Sequence, residues 1–186
     1  MIKDFAVFIM VYGRPEKNWT YKLLKKSGYT GKIYLVGDDL DSTIGDYKKK
    51  YKEDLIVFNK KKSALNVDTG DNTGDFRSTL FASNKIFDLA KERGINYFFI
   101  MCDDYLEFNY RFDHKLNYVT NKYVGNLDNI FSSLVKFMET NKRVSCIAMA
   151  QTGDFIGGKN SGFAKNLRLK RKAMNTFLCS TKRRFV

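Results

Sequence analysis

The sequence lacks any apolar run approaching the roughly 20 residues that a membrane-spanning helix needs. It also lacks a recognisable secretory signal, because residues 1–4 lead directly into a strand-like segment that begins at Phe5. We therefore expect a cytoplasmic protein with no membrane association.

Cysteine and histidine are scarce. The three cysteines (Cys102, Cys146 and Cys179) lie far apart, are odd in number and show no metal-ligand spacing. Reduced thiols in a cytoplasm are the simplest interpretation. The only histidine, His114, lies in a polar stretch that we interpret as a turn rather than a catalytic site.

Negative charge is in short supply: 33 Lys and Arg residues against 20 Asp and Glu residues give a net charge of +13. Such a charge predicts attraction to polyanions, and nucleic acid is the first candidate. The basic residues cluster at 48–52, at 60–62 and in a basic tail over 165–186. The alternative is a solvated, lysine-rich surface encoded by an AT-rich genome.

Segments that read as buried strands alternate with segments that read as helices. The apolar runs 5–11, 32–36, 55–58, 97–101 and 145–150 predict the strands, and residues such as 127–140 have helical apolar spacing. This order predicts an α/β fold with an open, mostly parallel sheet and helices on both faces, in a single domain over residues 1–186. We further predict a half-exposed strand over 105–112, a long loop over 59–75, a core position for Trp19 and a buried element that begins at Phe177.

Two adjacent carboxylates, Asp103 and Asp104, follow the apolar run that ends at Met101. In an open α/β sheet, ligands bind at the carboxyl ends of the strands. Carboxylate oxygens suit Mg²⁺ or Mn²⁺, which can in turn hold a diphosphate. The alternative is a plain Asp-Asp turn that caps the strand.

Other polar residues are expected at the same edge of the sheet. Asp38 and Asp39 end the second predicted strand and could accept hydrogen bonds from a nucleoside. Arg14 in the first turn and Arg77 at a helix start could donate to phosphate oxygens. The set predicts a nucleotide-sugar site in which metal and cations stabilise the leaving nucleoside diphosphate.

Four stretches together resemble the TET-associated glycosyltransferases of bacteriophages: residues 8–15, 28–34, 68–72 and 98–105. The resemblance covers about residues 5–178. It implies a GT-A type (Rossmann-like) fold and sugar transfer from a nucleotide donor, for which a UDP-sugar is expected. It also implies hydroxymethylated pyrimidine in DNA as the acceptor, and a location in the host cytoplasm.

The resemblance also implies roles for particular residues. Asp103 and Asp104 match the metal motif, and Asp38 and Asp39 match the nucleoside-binding strand end. The other carried-over positions are Arg77 and Asn84 in the helix ahead of the metal motif, and Asp154 in the loop 153–158 on the acceptor side. Asp154 is the candidate base, with a turn-forming role as the alternative.

The sequence departs from the family pattern in two places. Cys102 occupies a position where an Asp is frequent, and we expect it to be structural, because Mg²⁺ and Mn²⁺ prefer oxygen ligands. An acidic segment expected beyond Val186 is missing, which suggests a C-terminal truncation. These departures and the charge of +13 leave a non-catalytic DNA-binding protein on a decayed transferase fold as an alternative. A nucleotidyltransferase is a further alternative, because it would use the same pair of metal-binding carboxylates. The inverting or retaining outcome and the oligomeric state are left open.

Overall fold

The computed structural model describes residues 3–68, 76, 79–160 and 176–183. Eight strands form in chain order: β1 (Phe5–Met10), β2 (Lys32–Asp38), β3 (Leu55–Phe58), β4 (Tyr97–Cys102), β5 (Asn109–Phe112), β6 (Tyr118–Tyr123), β7 (Cys146–Ala148) and β8 (Phe177–Ser180). Five α-helices accompany them: α1 (Trp19–Lys26), α2 (Ile44–Tyr51), α3 (Lys60–Ala64), α4 (Leu80–Glu92) and α5 (Leu127–Thr140).

The main sheet has the strand order β3-β2-β1-β4-β8-β7. Strands β1 to β4 are parallel, whereas β8 runs antiparallel to both β4 and β7. Strands β5 and β6 form a separate antiparallel hairpin. The predicted class is confirmed: the fold is α/β, with an open, mostly parallel, Rossmann-like sheet.

Each face of the sheet carries its own apolar core, because alternate residues of a strand point to opposite faces. On one face, Val7, Ile9 and Phe99 pack with residues of α1, α2 and α5. On the other face, Phe8 and Phe98 pack with residues of α4. Helices therefore cover both faces, which explains why the parallel strands read as continuous apolar runs.

Local polar signals set the ends of the helices. The Asn18 side chain caps α1 by accepting a hydrogen bond from the Tyr21 amide at 3.0 Å. Gly28 follows α1 with φ +79°, and a Cβ at this position would lie 2.5 Å from the Gly125 carbonyl oxygen. A glycine is therefore required by both the backbone conformation and the close approach of the chain.

Three predictions about elements are corrected. The predicted loop 59–75 contains α3, and the predicted strand 105–112 is reduced to β5. Trp19 is not a core residue: it is 43% exposed, and α1 buries Thr20 and Leu24 instead. Trp19 is the first residue of α1, and its side chain lies outside the buried face of that helix.

The element predicted at Phe177 is confirmed as β8, which lies between β4 and β7 inside the sheet. Within the basic tail, Arg183 is half-buried and its guanidinium is engaged by backbone carbonyls. Its guanidinium donates to carbonyl oxygens of Met138, Asn141 and Val144 at the end of α5. Residues 165–175 and 184–186 of that tail lie outside the described residues.

Candidate active site

The carboxyl ends of four neighbouring strands meet at one edge of the sheet. In the register of the strands, Met10 of β1 lies beside Val36 of β2 and Cys102 of β4, and Asp38 lies beside Phe58 of β3. The segments that leave these strands therefore emerge together. This is the edge at which open α/β sheets bind their ligands.

Arg14, Asp103 and Asp104 form an ion cluster at this edge. Arg14 Nη2 donates a hydrogen bond to Asp103 Oδ1 and lies 3.9 Å from Asp104 Oδ2. The Asp103 side chain is only 4% exposed, whereas that of Asp104 is 55% exposed. The two carboxylates predicted from the sequence thus share one cation, but only Asp104 presents its oxygens to solvent.

The buried Asp103 carboxylate is only partly stabilised by its surroundings. Its Oδ2 atom is buried and has no hydrogen-bond partner. Burial raises the pKa of the carboxyl group, the Arg14 charge opposes that rise, and the Asp104 charge adds to it. A buried, unsatisfied carboxylate oxygen is costly, so it marks a place where a donor or a cation would be stabilising.

Thr20 holds the Asp-Asp turn in place. Its hydroxyl donates to the Cys102 carbonyl at 2.7 Å and accepts from the Tyr105 amide at 2.9 Å. Its own amide donates to the Asp103 carbonyl at 3.2 Å. The turn is therefore tied on both sides to the start of α1, a contact that the sequence pattern did not reveal.

The loop that carries Arg14 is anchored by the segment after β2. The Gly13 amide donates to Asp41 Oδ2 at 2.8 Å, and the Arg14 amide donates to the Tyr47 hydroxyl at 3.1 Å. Burial raises the pKa of Tyr47 to about 12, so this hydroxyl stays neutral at physiological pH. Gly13 has φ +69°, which permits the sharp turn.

Asp38 and Asp39 hold α3 against the end of β2. Asp38 Oδ2 accepts from Lys60 Nζ at 3.0 Å, and both side chains of this ion pair are buried. Asp39 accepts from the Lys60 amide at 2.9 Å and from Asn59 Nδ2 at 2.6 Å. The structure thus assigns both carboxylates a structural role, and their contact with a nucleoside stays a prediction.

A cleft of about 610 Å³ lies between α3 and α4, beside the end of β3. Asn84 lines this cleft together with Asn59, the partner of Asp39. The residues that line it do not include Arg14, Asp103 or Asp104. Two groups therefore lie along this edge. The ion cluster at β4 contains the predicted Arg14, Asp103 and Asp104. At β3, the predicted Asp39 and Asn84 are joined by Asn59, which was not predicted.

Comparison with known families decides the assignment. The family model described as TET-Associated Glycosyltransferase matches residues 5–186. The chain belongs to the TET-associated glycosyltransferase family. Membership supports glycosyl transfer as the activity and a nucleotide sugar as the donor. A search of curated proteins found no match.

The candidate base of the predicted site is held in a local turn. Asp154 lies in a short 3₁₀ turn, Thr152–Phe155, where its carboxylate accepts from the Gln151 amide at 2.8 Å. This contact supports the turn-forming role, and a catalytic role stays a prediction. Arg77 and residues 69–75 of the predicted polar loop lie outside the described residues.

Cys102 is a free thiol, as are Cys146 and Cys179. Burial raises the pKa of the Cys102 thiol, and the Asp104 and Asp103 charges raise it further. The structural role expected for this residue stays a prediction. Among the residues that the structure describes, no group of three or more Asp, Glu, His or Cys side chains is placed to hold a metal ion.

None of the helices that the structure describes is both long and apolar enough to cross a bilayer.

The sequence analysis missed Tyr12, Thr20 and Asp41 near the ion cluster, and it missed Lys60, which pairs with Asp38. Tyr12 is 56% exposed at the end of β1, and Lys60 Nζ lies 5.2 Å from the centre of its ring. A large exposed aromatic residue next to a strand end was the available signal for Tyr12. Lys60 carried none, because it looked like part of a solvated lysine run.

Proposed function

We propose that this chain transfers a sugar from a nucleoside-diphosphate donor, with a UDP-sugar expected, to hydroxymethylated pyrimidine bases in phage DNA. The observation that carries the proposal is the Arg14, Asp103 and Asp104 cluster at the sheet edge in a chain of the glycosyltransferase family. The guanidinium can contact a leaving diphosphate directly, and the two carboxylates can hold a metal ion that contacts it.

The residues present fit a divalent cation held jointly with a diphosphate. Mg²⁺ is commonly bound by one or two carboxylates and substrate phosphates, rather than by a complete protein cage. Asp104 would hold it through its exposed carboxylate, and Asp103 would do so through the buried oxygen that has no partner. When bound, Mg²⁺ or Mn²⁺ would neutralise charge on the departing nucleoside diphosphate.

The nucleoside end of the donor is assigned to the β1–β3 half of the edge. Tyr12 offers an exposed ring on which a base could stack. Asp39 and Asn59, which follow β2 and β3, are joined by a hydrogen bond, and Asn84 lines the cleft between α3 and α4. In this arrangement Asp38 acts through Lys60 as a positioning residue, and Arg77 remains a proposed phosphate contact.

The acceptor is assigned to the opposite half, where the β5–β6 hairpin meets the segment 151–160. Phe155 packs against Phe112 and Tyr118, with ring centroids 6.3 and 6.2 Å apart, and so joins the two parts. Tyr123 and Ile156 are 66% and 82% exposed on this unit. The net charge of +13 favours a polyanionic acceptor. Asp154 is proposed as the base toward the acceptor hydroxyl.

The test is product analysis. Hydroxymethylated DNA is incubated with the protein, Mn²⁺ and one UDP-sugar at a time. The DNA is then digested to nucleosides, whose masses are measured by mass spectrometry. An adduct with the mass of the donor's sugar is expected on the modified pyrimidine, with a rate lower by about tenfold or more for Asp104→Asn. Unmodified DNA is the matched acceptor control. Absence of an adduct with every nucleoside-diphosphate sugar would refute the proposal.

One observation favours a second candidate, a non-catalytic DNA-binding protein. Arg14 already neutralises Asp103, and the described residues add no third acidic ligand to the pair. This candidate predicts salt-sensitive duplex binding without nucleotide binding. A nucleotidyl-transfer reaction would be distinguished by the same mass spectra, because a nucleotide rather than a sugar would be added.

A further inference from the structure

The guanidinium of Arg14 lies between the two carboxylates that would hold a divalent cation. We propose that Arg14 is the resident counter-ion of the Asp103–Asp104 pair and that it must move to the donor diphosphate before the pair can bind metal. Metal and nucleotide would then bind cooperatively. This inference rests on the proposed function and identifies how its donor site is loaded.

The first argument is competition for the same two carboxylates. Arg14 Nη2 contacts Asp103 Oδ1 and lies 3.9 Å from Asp104 Oδ2. A divalent cation held by Asp104 and by the unpartnered Asp103 Oδ2 would therefore lie close to the guanidinium. Two positive charges at that range repel each other strongly, and half-burial weakens the screening by solvent. The pair therefore holds either Arg14 or a metal well, but not both.

The second argument is that Arg14 satisfies the pair incompletely. Asp103 Oδ2 is buried and has no partner even with Arg14 in place. Two carboxylates also carry one more negative charge than a single guanidinium neutralises. The pair thus keeps the capacity for a second, more highly charged partner.

The third argument is that the Arg14 side chain can leave without moving its backbone. The loop is fixed by the hydrogen bonds from Gly13 to Asp41 and from Arg14 to Tyr47. The side chain itself is 49% exposed. A diphosphate offers the guanidinium a bidentate acceptor of greater charge than a carboxylate. The donor nucleotide therefore supplies the alternative partner that frees Asp103 and Asp104.

Linkage makes this proposal measurable. If nucleotide binding removes Arg14 from the carboxylates, UDP must raise the affinity for Mn²⁺, and Mn²⁺ must raise the affinity for UDP by the same factor. The competing charge of Arg14 accounts for part of that factor. The factor should therefore fall when Arg14 is replaced by a neutral side chain that no longer competes with the metal.

The experiment is a titration of Mn²⁺ into the protein, followed by the electron paramagnetic resonance signal of free Mn²⁺, with and without UDP. Without UDP, we expect Arg14→Gln to bind Mn²⁺ about tenfold or more tightly than wild type, within the usual range of coupling factors. UDP should raise the Mn²⁺ affinity of wild type by a larger factor than that of Arg14→Gln. Arg14→Lys, which keeps the charge, should resemble wild type.

Lys17→Gln is the matched control, because Lys17 is an exposed cation of the same segment. It should leave the Mn²⁺ affinity unchanged. A second readout guards against a folding defect: Mn²⁺ alone should raise the unfolding temperature of Arg14→Gln but not that of wild type.

The proposal is overturned if wild type and Arg14→Gln bind Mn²⁺ with equal affinity in the absence of UDP, including the case in which neither binds. Failure of the proposed function has a different signature. In that case no variant would bind UDP, with or without metal, whatever its affinity for Mn²⁺.

Discussion

Replacing Lys60 by Met should destabilise the protein far more than its place in a lysine run suggests. Lys60 Nζ pairs with Asp38 Oδ2 at 3.0 Å, and the two side chains are 7% and 6% exposed. Methionine keeps the apolar stem and its packing, so the substitution removes mainly the charge. Asp38 would then be a buried carboxylate without a counter-ion.

The size of the effect follows from that geometry. Removing one partner of a buried ion pair costs about 3–5 kcal/mol, because the other charge stays buried and uncompensated. Since Asp38 Oδ1 keeps its hydrogen bond from the Leu40 amide, we expect the lower end, about 3 kcal/mol. For a chain of this length, that corresponds to a fall of about 6–12 °C in unfolding temperature.

The assay is urea unfolding followed by circular dichroism, with calorimetry for the unfolding temperature. Lys61→Met is the matched control, because Lys61 is the exposed neighbour in α3. The double variant Asp38→Asn with Lys60→Met should recover a large part of the loss, since the unpaired charge is gone. Equal stability of Lys60→Met and Lys61→Met, within about 0.5 kcal/mol, would refute the reasoning.

Three other predictions concern separate contacts. Arg183→Ala should cost about 2 kcal/mol in urea unfolding, because the carbonyls of Met138 in α5 and of Asn141 and Val144 just after it lose a charged donor. The exposed Lys182→Ala should be neutral. Gly28→Ala should cost more than Gly94→Ala, which has φ +66° but open space around it, and similar losses would contradict the close contact with Gly125. Alkylation of Cys102 should be slower in the folded than in the unfolded protein and should require a higher pH, because its pKa is raised. Asp104→Asn should speed that alkylation, and an unchanged rate would show that the neighbouring charge is unimportant.

The features that were predicted correctly from the sequence depend on short-range patterns of residues. Apolar runs located β1 to β4 and β7, and the polar residues after them located Asp103, Asp104 and the Arg14 loop. The rule that parallel strands end at one edge was then sufficient to bring those segments together.

The remaining features depend on tertiary contacts. The helix α3 is five residues long and forms in a polar stretch because Asn59 caps it and Asp39 accepts the Lys60 amide. The burial of Lys60 depends on a carboxylate 22 residues away in the chain. The pairing of Arg14 with Asp103 likewise joins residues from different strand ends, so no spacing in the sequence could reveal it.

The most direct test of a donor site at the Asp-Asp turn is calorimetric titration of UDP into wild type and Asp104→Ala, once with Mn²⁺ and once with EDTA. Our account predicts binding to wild type that depends on Mn²⁺, and loss of the metal-dependent part in Asp104→Ala. Asp104 is exposed, so the variant should remain folded. Binding that is indifferent to EDTA, or unchanged in Asp104→Ala, would contradict the assigned site.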